Sequence, residues 1–416
     1  MSEAFDPLSV AQDLSEIDVS DPMIFKNDAF RPIFARLRQE APVHYCKESP
    51  FGPYWSITRF HDIMAVDKNH HDFSSQGGVS IGNRSADFEA PNFISMDPPK
   101  HDLQHKAVTG VVAPMNLAKL EPVIRERAGW ILDNLPTGES FNWVDQVSIE
   151  LTTQMLATIF DFPFEERHKL TAWSDLATSS VATGGTLPDE DRREGLMQCL
   201  SEFTDLWNER VHWDPSEHND LITLMANDPA TAEMDPMEYL GNLILLIVGG
   251  NDTTRNSISG GVLGLNQYPL EYQKLSANPG LIPSMIPEII RWQTPLTHMR
   301  RIAKHDVSFQ GQRIKAGDKV VMWYVSGNRD ETAIDDPERF WIDRQNPRHH
   351  LSFGFGIHRC MGNRLAEMQL RVLWEEIMDR FEHVEVVGEP VRIASNFVRG
   401  IAELPVRVHR RKARAG

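Results

Sequence analysis

The sequence predicts a mainly α-helical protein with a small β-rich lobe, and three observations carry that expectation. From Leu117 to about Asp228, apolar residues recur at helical spacing in run after run. Strand-like alternation is confined to short windows, such as YWSITR at 54–59 and the stretch 294–330. No low-complexity linker divides the 416 residues, so one domain over 1–416 is expected. Its β-containing lobe should lie mostly within 30–75, 297–325 and 384–410, with the helical lobe making up the remainder.

In chain order, the first helix is expected where FRPIFARLRQE sets apolar residues at helical spacing ahead of a proline stop. YWSITR then alternates as a strand. Residues 73–93, rich in Gly, Ser and Asn with Phe88 and Phe93 among them, read as a long irregular loop of the kind that serves function or moves. Asp97-Pro98-Pro99 breaks the chain, and a helix begins near Lys100. His101 and His105 fall four apart on one face of it. By themselves they suit a two-histidine metal pair or plain solvated positions. The helical runs that follow are interrupted by GGTLPD at 184–189, between two charge-rich amphipathic helices.

Residues 237–266 hold a second informative stretch, YLGNLILLIVGGNDTTRNSISGGVLGLN. Its first half is apolar all round, as in a helix that passes through a core. The middle breaks the helix rules, because Gly249 and Gly250 are poor helix formers and Asn251, Asp252, Thr253 and Thr254 are polar where burial is expected. Such a violation points to function. Leu245, Gly249 and Thr253 share one face, where the missing glycine side chain leaves room for a ligand beside the Thr253 hydroxyl. A tightly packed crossing helix with a kink would satisfy the same pattern. Downstream, Glu288 and Arg291 at i,i+3 read alone as a routine ion pair.

FGFGIHRCMG, at 353–362, is the stretch the rest of the chain serves. Gly354, Gly356 and Gly362 permit backbone geometries closed to other residues. The helical run NRLAEMQLRVLWEEI follows at once, aiming its N-terminal amides and positive dipole end at Cys360 and lowering the thiol pKa. Cys360 thus reads as an anionic ligand, against the alternative of a small buried hydrophobe. Cys46, Cys199 and Cys360 are far apart and show no C-x-x-C pairing, which argues against a disulfide framework or a cysteine-rich zinc site. His349, His350 and His358 lack the carboxylate or cysteine partner a metal cluster needs.

A formal charge of −17 argues against nucleic acid as a partner. The acidic N-terminus lacks the basic and apolar regions of a signal peptide, and LILLIV at 243–248 is far too short to span a bilayer. A cytoplasmic protein without a membrane anchor is expected.

The F-x-x-G-x-H-x-C-x-G loop resembles the haem-binding signature of the cytochrome P-450 monooxygenases. The resemblance implies their helix-rich triangular prism fold and haem b, with the Cys360 thiolate as proximal iron ligand. Phe353 would pack beside the sulfur, Gly356 would lie at the cofactor, and His358 would reach a haem propionate. The family's helix after M-D-P-P carries H-x-x-x-R for the propionates; here His101 matches and His105 stands in place of the arginine. Arg301 matches a further propionate-binding arginine. GGNDTT resembles the oxygen-binding groove, in which Thr253 would hydrogen-bond the bound oxygen or a water and Asp252 would relay protons from solvent. EIIR and PERFWIDR resemble the E-x-x-R motif and its distant partner, so Glu288, Arg291 and Arg344 would lock the loop before the cysteine.

The same resemblance makes the helices around GGTLPD a mobile lid and places Leu245, Val248, Gly249, Thr297, Met299 and Phe397 around a small apolar substrate. Together GGNDTTRNSISGG, HMRRIA, GNRDE, the cysteine loop with its helix, and SNFVRG look like the bacterial alkane hydroxylases that oxidise terminal methyl groups. Medium-chain alkanes or fatty acids are then the expected substrates, with a terpene or other bulky apolar molecule as the alternative. The chain shows no flavin or ferredoxin domain, so electrons are expected from NAD(P)H through a ferredoxin reductase and a 2Fe–2S ferredoxin, with O2 as co-substrate. Arg359, Arg364 and Arg371 would form a docking face for the acidic ferredoxin, and the enzyme is expected to be a monomer. A haem-thiolate sensor without turnover and a peroxide-driven hydroxylase are rival readings, and the Asp252-Thr253 pair argues against both.

Overall fold

A long helix runs unbroken from Pro236 to Gln267 through the middle of the molecule, and the other elements pack around it. The structure is a computed structural model that describes residues 13–83, 88–180, 183, 185 and 187–411. The GGTLPD turn therefore falls partly outside the described residues. The principal helices are α1 (Lys100–Thr109), α2 (Pro114–Asp133), α3 (Glu150–Phe160), α4 (His168–Thr178), α5 (Asp189–Arg210), α6 (Pro236–Gln267), α7 (Ile282–Gln293) and α8 (Asn363–Arg380).

The α6 helix starts on an Asp235 cap that accepts the Met237 amide, with Pro236 at its first position. The helix continues without interruption past Gly249-Gly250. Each glycine costs a helix about 1 kcal/mol against alanine, but Gly250 lets α3 approach closely: a Cβ there would stand 2.7 Å from a Leu156 methyl. Close packing and burial hold the helix through its weakest point.

The largest hydrophobic cluster joins Ile258 and Val262 of α6 to Ile289 of α7 and to Leu370 and Trp374 of α8. Each such buried side chain contributes about 1.5–3 kcal/mol. The cysteine-bearing loop and the central helix are thereby fixed on one solid body.

Beside it lies a five-stranded sheet of β1 (Val43–Cys46), β2 (Tyr54–Ile57), β3 (Phe73–Ser74), β4 (Met299–Ala303) and β5 (Lys319–Met322), in the order β1-β2-β5-β4-β3. The β2–β5 pair is parallel, with Trp55 opposite Val320, and β4–β5 is antiparallel, with Arg301 opposite Val320. Alternation along β4 turns Met299 and Arg301 to one side and Arg300 to the other. The C-terminal strands do not join this sheet. Pro405–Arg410 lies between Phe381–Val386 and Phe141–Asn142 in a separate three-stranded sheet, and Val384 and Val406 pack into the helical core. This corrects the expected extent of the β-lobe at 384–410, for alternation reveals a strand but not its partner.

Glu288, Arg291 and Arg344 meet in the interior. Arg291 grips Glu288 through two hydrogen bonds of 2.7 and 2.8 Å, and Arg344 adds two of 3.1 and 3.4 Å. The remaining guanidinium donors reach the carbonyls of Asn328, Pro337 and Arg339. Asn328 in turn accepts the Leu351 amide at 2.6 Å and donates to the Ser352 hydroxyl at 2.9 Å. The network thus reaches the residues immediately ahead of Phe353 through an asparagine that sequence reasoning passed over.

Candidate active site

The loop ahead of α8 folds back on itself, so that the Cys360 amide donates to the Phe353 carbonyl at 2.8 Å. Two glycines make the turn possible. Gly354 and Gly356 have φ of +64° and +69°, and a Cβ on Gly356 would stand 2.8 Å from the Asp67 carbonyl. Gly356 shapes the loop but is absent from the cavity lining, so its expected place against the cofactor is corrected. Cys360 is exposed to a cavity of about 990 Å³ that it helps to line. Backbone amides of Gly362 and Asn363 donate to it from the start of α8, as the helix-dipole argument requires. Burial nevertheless outweighs these amides and the nearby Arg359 charge, and pushes the thiol pKa up rather than down.

Beside the sulfur, three imidazoles cluster at the cavity wall. The His101 ring lies 5.4 Å from His105 and 4.3 Å from His358, centroid to centroid. His101 Nδ1 bonds the Asp102 carboxylate at 2.8 Å, and His358 Nε2 bonds the Ser75 hydroxyl at 2.8 Å. Burial pushes the pKa of His105 down and that of His358 down to about 2. Both are therefore neutral near pH 7, and His105 offers an N–H where the expected arginine would offer a charge.

Arg301 lines the same wall, held from behind by a residue the sequence did not flag. Asp67, fully buried, accepts the Arg301 guanidinium at 2.7 Å, the Tyr324 hydroxyl at 2.9 Å and the Phe355 amide at 2.8 Å. One carboxylate therefore ties the arginine to the cysteine loop. Burial raises its pKa, and the Arg301 charge with the three donors opposes that rise. An aspartate in a helix of ordinary pattern carries no local signal of such a partner, 234 residues away in the chain. Arg300, on the opposite side of β4, donates to the carbonyls of Gly77, Gly78 and Gly82 and pins that loop over the cavity.

On the α6 side, Leu245, Val248, Gly249 and Thr253 line the cavity, joined by Met299 and Phe397. A Cβ on Gly249 would meet nothing within 4 Å, so this glycine opens space over the cysteine. The Thr253 hydroxyl donates to the Gly249 carbonyl at 2.8 Å, which leaves its lone pairs as acceptors toward the cavity. Asp252 is fully buried and points elsewhere. Its carboxylate accepts the Ser174 hydroxyl at 3.0 Å and lies 2.5 Å from the Arg255 guanidinium, which also holds the exposed Asp175 at 2.7 Å. Burial pushes the Asp252 carboxyl up against the pull of Arg255.

Two expected roles do not survive the geometry. Thr297 is absent from the lining because its hydroxyl donates to the Asn396 carbonyl inside the wall. Arg371 is bound by Glu121 and Glu375, both at 2.9 Å, so its charge is spent between α2 and α8. Arg359 and Arg364 remain exposed.

The cavity suits a flat group that is apolar in the middle and anionic at one edge. His101 Nε2, His105 Nε2 and His358 Nδ1 are buried without a hydrogen-bond partner, beside Arg301, and aliphatic side chains face the opposite end. Buried polar atoms of this kind are costly unless something binds them. Haem b, with its two carboxylates and an iron that takes a thiolate, fits this donor set.

A helix-rich body with small sheets, closed over such a cysteine-floored cavity, defines the haem-thiolate monooxygenase class. The chain belongs to the cytochrome P-450 family, whose profile matches residues 189–406. It is 34% identical over 401 residues to linalool 8-monooxygenase of Pseudomonas putida, covering 94% of this chain and 98% of that protein. It is 31% identical to a methyl-branched lipid omega-hydroxylase of Mycobacterium bovis, with 90% of each chain covered. The solved structure of CYP153D17 from Sphingomonas sp. PAMC 26605 superposes with a TM-score of 0.89 at 47% identity, covering 94% of this chain and 99% of that one. The protein is accordingly an oxidoreductase that incorporates oxygen from O2, uses haem b and receives electrons from redox partners. Among the described residues, no helix is long and apolar enough to cross a membrane.

Proposed function

We propose that this chain hydroxylates the terminal carbon of medium-chain apolar substrates, alkanes or fatty acids. The observation that carries the reading is the cavity itself, whose aliphatic walls, Leu245, Val248, Leu296 and Met299 among them, extend from Cys360 to Leu196 on α5. The name of the omega-hydroxylase relative, which specifies oxidation at a chain end, supports it.

Cys360 would hold the haem iron through its thiolate, and the Gly362 and Asn363 amides would stabilise that anionic form. His101, His105, His358 and Arg301 would receive the carboxylates of the cofactor, while Phe353 would shield the sulfur. When bound, haem b supplies the oxygen activation and C–H oxidation. The balanced reaction places one oxygen atom in the C–H bond and releases the other as water, consuming two electrons and two protons. Protons enter by way of the exposed Asp175, with Arg255 holding Asp252 ready one residue before the cavity-facing Thr253. Asp252 takes up a proton when it leaves Arg255, and its burial favours the protonated form. Thr253 accepts a hydrogen bond from the water that carries the proton on. Electrons come from an iron–sulfur ferredoxin that docks on Arg359 and Arg364, and that ferredoxin is reduced by a separate reductase.

Asp252→Asn is expected to slow turnover about 100-fold and to raise the solvent isotope effect, with substrate affinity little changed. Turnover at the rate of the parent enzyme would remove Asp252 from the path. The proposed activity is tested by turnover of a series of n-alkanes and n-alkanoic acids with analysis of product position. A single terminal alcohol, formed best at one chain length, is the expected result. Oxidation of monoterpenes alone, in keeping with the linalool 8-monooxygenase relative, would replace this reading with the terpene one.

A further inference from the structure

The charges facing the cavity are unequally placed. Among the described residues that line it there is no aspartate or glutamate, while Arg192, Arg301 and Arg359 are all part of the lining. Arg301 and Arg359 belong to the cysteine end, the first through Asp67 and the Phe355 amide, the second as the neighbour of Cys360. Arg192 stands apart on α5, one turn ahead of the cavity-lining Leu196 and in line with the buried Leu200 and Phe203. A guanidinium thus heads the apolar inward stripe of a lid helix, where a leucine would extend the pattern.

Two threonine hydroxyls of the lining, at and just beyond the end of α4, already donate. Thr178 donates to the Ser174 carbonyl at 3.0 Å, and Thr183 donates to the Thr178 carbonyl at 2.6 Å. Both residues line the cavity. They can accept hydrogen bonds there, but donation to an anion falls to Arg192, whose five N–H donors can serve more than one partner at once. The next residue, Arg193, lies over the ring of Phe88, another lining residue, at 5.8 Å.

We infer that Arg192 binds the carboxylate of an alkanoic acid at the lid end of the cavity, so that the methyl end of the chain points toward Cys360. A planar guanidinium matches a carboxylate through two parallel hydrogen bonds. The aliphatic walls between the two ends bury the chain. This rests on the proposed terminal hydroxylation and narrows its substrate from any medium-length chain to an anionic amphiphile. Fixing the head group also explains how a featureless chain could present its last carbon, because the apolar walls themselves impose no register along it.

The test is an absorption titration of the holoenzyme with an n-alkanoate, its methyl ester and the n-alkane of equal length, following the spin-state change. The parent enzyme and the Arg192→Leu and Arg192→Lys variants are compared at low and high salt. The expected result is about tenfold weaker alkanoate binding in Arg192→Leu, partial recovery in Arg192→Lys, and ester and alkane affinities changed by less than about twofold. Loss of salt dependence in Arg192→Leu should accompany it. Equal weakening of all three ligands, or none for the acid, overturns the assignment while leaving terminal hydroxylation standing. If no linear chain perturbs the parent enzyme, terminal hydroxylation itself fails, and the carboxylate site with it.

Discussion

Cys360→Ser is expected to abolish monooxygenation and to remove the thiolate-haem signature from the absorption spectrum of the reduced, carbon monoxide-bound protein. The substitution exchanges one atom, so the loop hydrogen bond from the residue 360 amide to Phe353 remains. The change is chemical. A serine hydroxyl stays neutral at any pH the fold survives, whereas a thiol can ionise and act as an anionic ligand. Here the deprotonated form is worth preparing, because Gly362 and Asn363 already aim amides at the sulfur from the start of α8. Unfolding of the cofactor-free variant should move by less than about 1 kcal/mol, as one small atom at a cavity wall carries little of the packing. A variant that kept the thiolate spectrum would refute the ligand assignment. A variant that failed to fold would show instead that the sulfur is structural.

Glu288→Gln should destabilise the fold by about 3–5 kcal/mol, the cost of leaving buried charge without its partner. Glu288 is the one carboxylate between Arg291 and Arg344, and all three side chains are within 7% of full burial. Glutamine keeps the shape and removes the charge, so the loss reads the electrostatics rather than a cavity. Against a typical total stability of about 5–15 kcal/mol, such a loss is severe. It should propagate to the site, because Arg291 also holds the Asn328 carbonyl and the Asn328 side chain holds Leu351 and Ser352. The measurement is urea unfolding together with the rate of haem loss. A change below about 1 kcal/mol with normal haem retention would show that the network is dispensable.

Much of the site could be read without coordinates where one short segment contains its own physical argument. The cysteine loop is such a case, since its glycines, its sulfur and the helix that follows are contiguous. Gly249 and Thr253 are another, as two polar or missing side chains at helical spacing in an apolar run can only be costly or useful. The errors follow from the same rule. Local propensity left a kinked helix at Gly249-Gly250 open as an alternative, and the helix continues past this point with Leu156 of α3 against Gly250. The family resemblance placed Thr297 in the pocket, but its hydroxyl donates to the Asn396 carbonyl inside the wall. The thiol pKa was expected to fall with the helix dipole, and burial, which no local pattern measures, decides its direction.

Local sequence carries a cysteine in a glycine-rich loop, an acid and an alcohol side by side in a core helix, a mainly helical body and a small sheet. The partners come from packing. Asp67 behind Arg301, Asn328 between the Glu288 network and the cysteine loop, and Asp175 linked through Arg255 to Asp252 are all contacts between distant segments. A side chain's type is written in the chain, but what it faces depends on how helices and strands pack, and that is set by the burial of the whole core.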